Sequence, residues 1–119
     1  MNLALIQVSE FVARWRRLRL NDEDLRALET QLLFRPDAGR PMEGTGGLRK
    51  LRFAPPSWHR GKSGAMRVAY VYFPKYERIY LITLYTKEEK DNLTRGERNR
   101  YRQILGDLAA SLERRRWKG

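Results

Sequence analysis

Residues 65–86, AMRVAYVYFPKYERIYLITLYT, predict two β-strands joined by a tight turn. The stretch is rich in the β-branched and aromatic residues that favour strands, and PKYE at residues 74–77 is typical of a hairpin connection. Residues 78–86 form the most apolar of these runs, so we expect that strand to lie inside its sheet. An antiparallel strand pair is therefore the centre of the predicted fold.

A third strand precedes this hairpin at residues 48–53, LRKLRF. Because side chains alternate along a strand, one face should carry Leu48, Lys50 and Arg52, and the other Arg49, Leu51 and Phe53. The preceding GTGG, residues 44–47, predicts a turn, since its spacing is not that of a phosphate-binding loop. The connection at residues 54–64, APPSWHRGKSG, is long for a hairpin, and its prolines and glycines predict irregular structure.

Helical patterns lie on both sides of this β region. Residues 2–8 read as a short strand, Ser9 is a predicted N-cap of a first helix, and Asn21 begins a second one. Thr94 and Glu97 form a capping box that begins the last helix. The order β-α-α-β-β-β-α predicts an α+β fold, with an antiparallel sheet of three or four strands flanked by helices.

The composition narrows the class of protein. A chain of 119 residues fits a single domain over residues 1–119. It has no cysteine and no cluster with metal-ligand spacing, so we expect neither a metal nor a cofactor. The sequence shows no signal peptide and no apolar run of the roughly 20 residues that span a bilayer. We therefore expect a cytoplasmic protein with no membrane partner.

Positive charge is concentrated in the β region. Lys and Arg number 25 against 14 acidic residues, a net charge of +11, which is typical of proteins that bind a polyanion. Residues 47–90 hold ten cations and three acids. If the three central strands are antiparallel neighbours, the cations near their ends converge on one side. These cations are Lys50, Arg52, Arg67, Lys87 and Lys90. An ordinary solvated sheet face is the alternative interpretation.

Other residues of this basic region are candidates for contact with nucleic acid. Trp58 lies in the basic loop and Tyr85 ends a strand, so both are candidates for stacking on a base. His59 is the only histidine, which excludes a mechanism that uses two. The remaining candidates are the cations Arg49, Arg60, Lys62 and Lys90.

Three ordered stretches, GTGGLRKLRF, GKSGAMRVAYVYF and IYLITLYTKEEKDNLT, resemble the HigB/RelE-like toxins of bacterial type II toxin–antitoxin systems. The match runs through nearly the whole chain. It implies a RelE-like fold and a ribosome-dependent mRNA endonuclease, an mRNA interferase, that inhibits translation and growth. It further implies a HigA-like helix-turn-helix antitoxin as partner, through which alone operator DNA is contacted.

The resemblance also implies catalytic residues. Lys50 and Arg52 match the paired basic positions of the first central strand, and Arg67 matches the arginine that opens the next one. Lys87 matches the basic position after the last strand, with Lys90 beside it.

A tyrosine of the RelE-like site has no counterpart in this chain. The matching stretch here is EKDNLTRGE, residues 89–97, which contains no tyrosine. Either Tyr85 or His59 could take its place. Arginines suit phosphate clamping, because they keep their proton.

Two other functions stay open at this stage. A ParE-like toxin on the same fold would inhibit a topoisomerase by binding, and a non-catalytic module would bind RNA without cutting it. The strand cations favour RNA cleavage over topoisomerase inhibition, because an inhibitor that acts by binding does not need them together.

Overall fold

The computed structural model describes residues 2–58 and 65–118, and for Lys118 the backbone only. The strands are β1 (Ala4–Gln7), β2 (Arg40–Pro41), β3 (Arg49–Phe53), β4 (Met66–Phe73) and β5 (Arg78–Tyr85). The helices are α1 (Ser9–Arg17), α2 (Asp22–Phe34) and α3 (Arg95–Lys118). Short 3-10 turns cover Pro56–Trp58 and Pro74–Tyr76. The α+β class is confirmed.

The strands form one sheet in the order β1-β5-β4-β3-β2. Neighbours are antiparallel except β1, which pairs with β5 in parallel, with Ala4 opposite Arg78. The sheet thus has one strand more than the three or four expected. The missed strand is β2, where Arg40 lies opposite Lys50. It has two residues, one of them Pro41, and proline is confined to sheet edges because it has no N–H to donate.

Helices cover both faces of the sheet. On one face, α1 and α2 contribute Phe11, Leu28 and Leu32 to a core that holds the side chains of β4 and β5. On the other face, Leu105 of α3 shares a second core cluster with Ile82 of β5. Burial on both faces explains why these two strands read as nearly continuous apolar runs rather than clean alternations.

Side-chain caps fix the starts of two helices, as predicted. Asn21 accepts a hydrogen bond from the backbone N–H of Asp24 at 2.8 Å, and its own N–H donates to the Asp24 carboxylate. Thr94 and Glu97 exchange the same pair of bonds at the start of α3. The predicted cap at Ser9 is wrong, because α1 already includes that residue and Val8 precedes it without a side-chain bond. No helix in the described ranges is long and apolar enough to cross a bilayer.

The predicted GTGG turn joins β2 to β3 and packs against α3. Gly44 and Gly46 have φ angles of 77° and 73°, which residues with a Cβ rarely adopt. A Cβ on Gly46 would lie 3.2 Å from Cγ of Arg102. Between the two glycines, Thr45 donates to the Met42 carbonyl at 2.6 Å and accepts from the Leu48 N–H. The turn therefore fixes the β2–β3 hairpin against the first turns of α3.

Candidate functional site

Three side chains form a row across the sheet on the face covered by α3. Arg52 lies opposite Arg67 in the β3–β4 pair, and Arg67 lies opposite Tyr85 in the β4–β5 pair. Lys50, two residues before Arg52, is opposite Ala69 in the next row. Directly opposed residues have Cβ atoms about 4.5–5.5 Å apart and share a face. The structure thus brings together Lys50, Arg52 and Arg67, which we call the cation face.

A one-residue bulge in β5 brings Tyr85 to this face. Ala69 pairs with Thr83 while Tyr70 pairs with Leu81, so Ile82 has no direct partner. Leu81 points toward α1 and α2, and strict alternation would send Tyr85 the same way. The extra residue reverses the alternation, and Tyr85 packs on the α3 side instead.

Arg67 is a buried cation without a carboxylate partner among the described residues. Its side chain is 8% exposed, and Nη1 donates to the Ala65 carbonyl oxygen at 2.7 Å. The salt bridges of residues 2–58 and 65–118 include neither Arg67 nor Arg52 nor Lys50. Burying a charge is costly unless an opposite charge compensates it. The arrangement therefore favours an anionic ligand against these cations.

The aromatic end of the row is also buried. Tyr85 is 1% exposed, and its hydroxyl has no hydrogen-bond partner in the described ranges. Burial raises the pKa of Tyr85 to about 12, although the Arg67 charge opposes this shift. The hydroxyl is therefore protonated at neutral pH. Stacking of Tyr85 on an RNA base stays a prediction, and it would require the ring to become exposed, because the ring is buried in this structure.

Lys90 lies over the Tyr85 ring and is paired with an acid. Its ammonium is 5.8 Å from the ring centroid and bonds to the Glu97 carboxylate. The Lys90 bond is the largest cause of a pKa of Glu97 below its usual value. Lys90, predicted to contact RNA, thus has an intramolecular counterion. Lys87 lies in the exposed turn after β5, beyond the end of the Tyr85 row.

The other predicted RNA contacts lie away from the cation face or outside the described residues. Arg49 points to the opposite face, where Nη1 donates to the carbonyl oxygens of Asp37 and Gly39 at 3.1 and 2.8 Å. Trp58 is half-buried against the core beneath α1 and α2. The candidates His59, Arg60 and Lys62 all fall outside the described residues.

A shallow cavity of about 460 Å³ opens at the β3 edge beside the cation face. Arg40, Lys50 and Arg52 line it, together with Gln31 and Ala38 of the α2 side. No sequence pattern indicated Arg40, because its place opposite Lys50 depends on the short strand β2. The volume of this cavity lies within the roughly 300–1,000 Å³ typical of ligand pockets.

Buried Asp24 anchors the connection that follows β3. Its carboxylate accepts from the Ser57 hydroxyl at 2.6 Å, the Ser57 N–H at 3.0 Å and the Asn21 N–H at 3.1 Å. Burial opposes ionisation, but these hydrogen bonds outweigh it and hold the pKa of Asp24 below its usual value. Helix α2 therefore fixes the chain where it leaves β3 for the basic loop.

No group of three or more metal-ligating side chains occurs within residues 2–58 and 65–118. The donors that the described site presents are guanidinium, ammonium and phenolic hydrogens, which suit an anion. Phosphate is the anion whose geometry the paired N–H groups of arginine match best.

Comparison with known proteins identifies the fold. No protein-family model matches the chain. A solved structure with a similar fold is that of Escherichia coli toxin RelE, in the form of a double arginine-to-alanine mutant in the free state. The two share 16% sequence identity with a TM-score of 0.52, over 76% of this chain and 88% of that one. The chain therefore has a RelE-like fold.

Proposed function

We propose that this protein is the toxin of a type II toxin–antitoxin system and cleaves mRNA on the ribosome as a metal-independent endoribonuclease. One observation carries the proposal: Arg52 and Arg67, which have no acidic partner within residues 2–58 and 65–118, lie opposite one another on a RelE-like sheet, with Lys50 beside them. The resemblance to HigB/RelE-like toxins supports the same function. A HigA-like antitoxin and a cytoplasmic site of action follow from that resemblance.

The proposed reaction is transesterification within the RNA. The 2′-oxygen forms a bond to the phosphorus while the bond from phosphorus to the 5′-oxygen breaks. The 2′-oxygen loses a proton and the 5′-oxygen gains one, leaving a 2′,3′-cyclic phosphate and a 5′-hydroxyl. Negative charge on the non-bridging oxygens grows in the transition state, so fixed cations there accelerate the reaction.

The cation face provides one such fixed charge, with an exposed cation beside it. Arg67 is held by its bond to Ala65, and Arg52 is exposed on the neighbouring strand. Two guanidinium groups on opposed residues are suited to hold the two non-bridging oxygens of one phosphate. Lys50 and Lys87 are the other cations to which we assign a catalytic role.

Tyr85 is not suited to accept a proton from the RNA. Because burial keeps its hydroxyl protonated at neutral pH, it does not serve as a general base in this state. Such a site is weak alone, and presentation of the mRNA by the ribosome would supply the orientation it lacks. The net charge of +11 favours docking on ribosomal RNA.

Cleavage in cells tests this function. Expression without antitoxin should arrest growth and produce cuts in a translated reporter mRNA, read by primer extension. Arg52→Gln and Lys50→Gln should each lower the cleavage rate about 10²–10³-fold, the usual cost of removing one transition-state donor. Arg26→Gln, at an exposed position on α2, is the matched control and should cleave like wild type.

Three results would contradict parts of the proposal. Full cleavage by both Arg52→Gln and Lys50→Gln would remove the cation face as the site. DNA-damage signalling with intact mRNA would assign the protein to topoisomerase inhibition instead. Salt-dependent RNA binding without any cut on translating ribosomes would make it a binding module.

A further inference from the structure

A second cavity, of about 280 Å³, adjoins the first at Lys50. It lies between β2 and the segment that leads into α3, so it extends the cation face away from Arg52. Three cations line it, namely Arg40, Lys50 and Arg98, with Asn92 and the carboxylate of Glu43. Arg40 and Lys50 line both cavities, which makes the two cavities one continuous basic surface.

The cations of this second cavity lack acidic partners within the described residues. None of the salt bridges there involves Arg40, Lys50 or Arg98. Arg98 donates to the Leu93 carbonyl oxygen at 3.4 Å, a bond that orients the guanidinium without neutralising it. By contrast, Arg100 on the same helix turn bonds to the carboxylate of Glu10.

The glycine turn fixes the two walls of this cavity relative to each other. A Cβ on Gly44 would lie 3.8 Å from Nε of Arg98, so the turn contacts the start of α3 directly. The same turn leads into β3 and hence to Lys50. Arg98 is also held by its bond to the Leu93 carbonyl oxygen, and a cation held in place loses less side-chain freedom when it binds an anion, which favours binding.

We propose that the second cavity binds a backbone phosphate of single-stranded RNA adjacent to the scissile one. The RNA would run from Arg52 across Lys50 and Arg40 to Arg98, along the β2–β3 edge. This proposal rests on the proposed function, which identifies the polyanion as RNA. It adds Arg40 and Arg98 as substrate-binding residues that no strand pattern indicated.

Binding without ribosomes tests the proposal. The probe is a fluorescently labelled 2′-O-methyl RNA about ten nucleotides long, which lacks the attacking hydroxyl and stays intact. Each phosphate contact to a single strand contributes about 0.7 to the slope of log affinity against log salt. Arg98→Gln and Arg40→Gln should each reduce that slope by about 0.7 and weaken binding roughly five- to tenfold near 100 mM salt.

Arg102→Gln is the matched control, because Arg102 lies one turn further along α3 and bonds to Asn99 outside both cavities. It should bind with wild-type affinity and slope. Circular dichroism melting should show all three variants folded.

Failure of this proposal is distinguishable from failure of the proposed function. Equal affinities and slopes for Arg98→Gln, Arg40→Gln and Arg102→Gln would overturn the second phosphate site even if the protein cleaves mRNA. If Arg98→Gln and Arg40→Gln selectively weaken RNA binding but the protein cuts no mRNA, the second phosphate site stands and the nuclease function is refuted.

Discussion

Replacing Tyr85 with phenylalanine should stabilise the protein. The Tyr85 hydroxyl is buried and has no hydrogen-bond partner within the described residues. An unpaired buried polar group costs about 1–3 kcal/mol, so its removal should raise the free energy of unfolding by about 1 kcal/mol after allowance for the small void. For 119 residues the unfolding entropy is about 0.25 kcal/mol/K, so Tm should rise about 4 °C.

Tyr70→Phe is the matched control for this experiment. The Tyr70 hydroxyl accepts from the Gly39 N–H at 2.8 Å and donates to the Pro36 carbonyl at 2.7 Å. The same substitution there leaves a buried N–H unpaired and should lower the free energy of unfolding by about 1–3 kcal/mol. Urea unfolding and thermal melts of both variants measure the contrast. A loss of stability in Tyr85→Phe equal to that in Tyr70→Phe would refute the unpaired hydroxyl.

Three further predictions concern pH and backbone. Because the pKa of Tyr85 is raised to about 12 while the unfolded value is about 10, the native state holds its proton longer. Stability should therefore fall between about pH 10 and 12, by up to 1.4 kcal/mol per pH unit from this group, and the fall should be smaller in Tyr85→Phe. The lowered pKa of Asp24 acts at the opposite end of the pH range. Its contribution to the free energy of unfolding should be lost as pH falls below about 4, and Asp24→Asn should flatten the acid side of a plot of stability in urea against pH. Gly46→Ala should lower the free energy of unfolding by about 1–2 kcal/mol, because Gly46 has a positive φ and a Cβ there would press on Arg102. Gly106→Ala is the control: it lies on an open surface of α3 and should raise the free energy of unfolding by about 1 kcal/mol in the same urea experiment.

Local sequence signals predicted the parts of the fold that depend on local interactions. The Asn21 and Thr94 caps act within four residues, so their patterns are legible without tertiary structure. The alternation of β3 likewise followed from strand geometry, which put Lys50 and Arg52 on one face. The hairpin between β4 and β5 is confirmed for the same reason, since its turn spans only residues 74–77.

Features that depend on distant partners were missed. Strand β1 pairs in parallel with β5, about 75 residues away, and nothing in its own sequence specifies that direction. Strand β2 forms because the GTGG turn brings Arg40 and Pro41 opposite Lys50 and Arg49 of β3. The strand propensity of its two residues does not explain it. Arg40 and Arg98 were missed as site residues for this reason, since their positions are set by tertiary contacts.

The bulge at Ile82 joins the fold to the proposed chemistry. Without it, alternation from Leu81 would direct Tyr85 into the core beneath α1 and α2, and Leu84 would face α3. The row would then end at Arg67, with no hydroxyl beside its guanidinium. With it, a neutral buried phenol lies in the same row as Arg67 and Arg52, on a face that carries no described counterion for these cations. The bulge thus makes the proposed anion site asymmetric, with permanent charges on β3 and β4 and a buried phenol on β5.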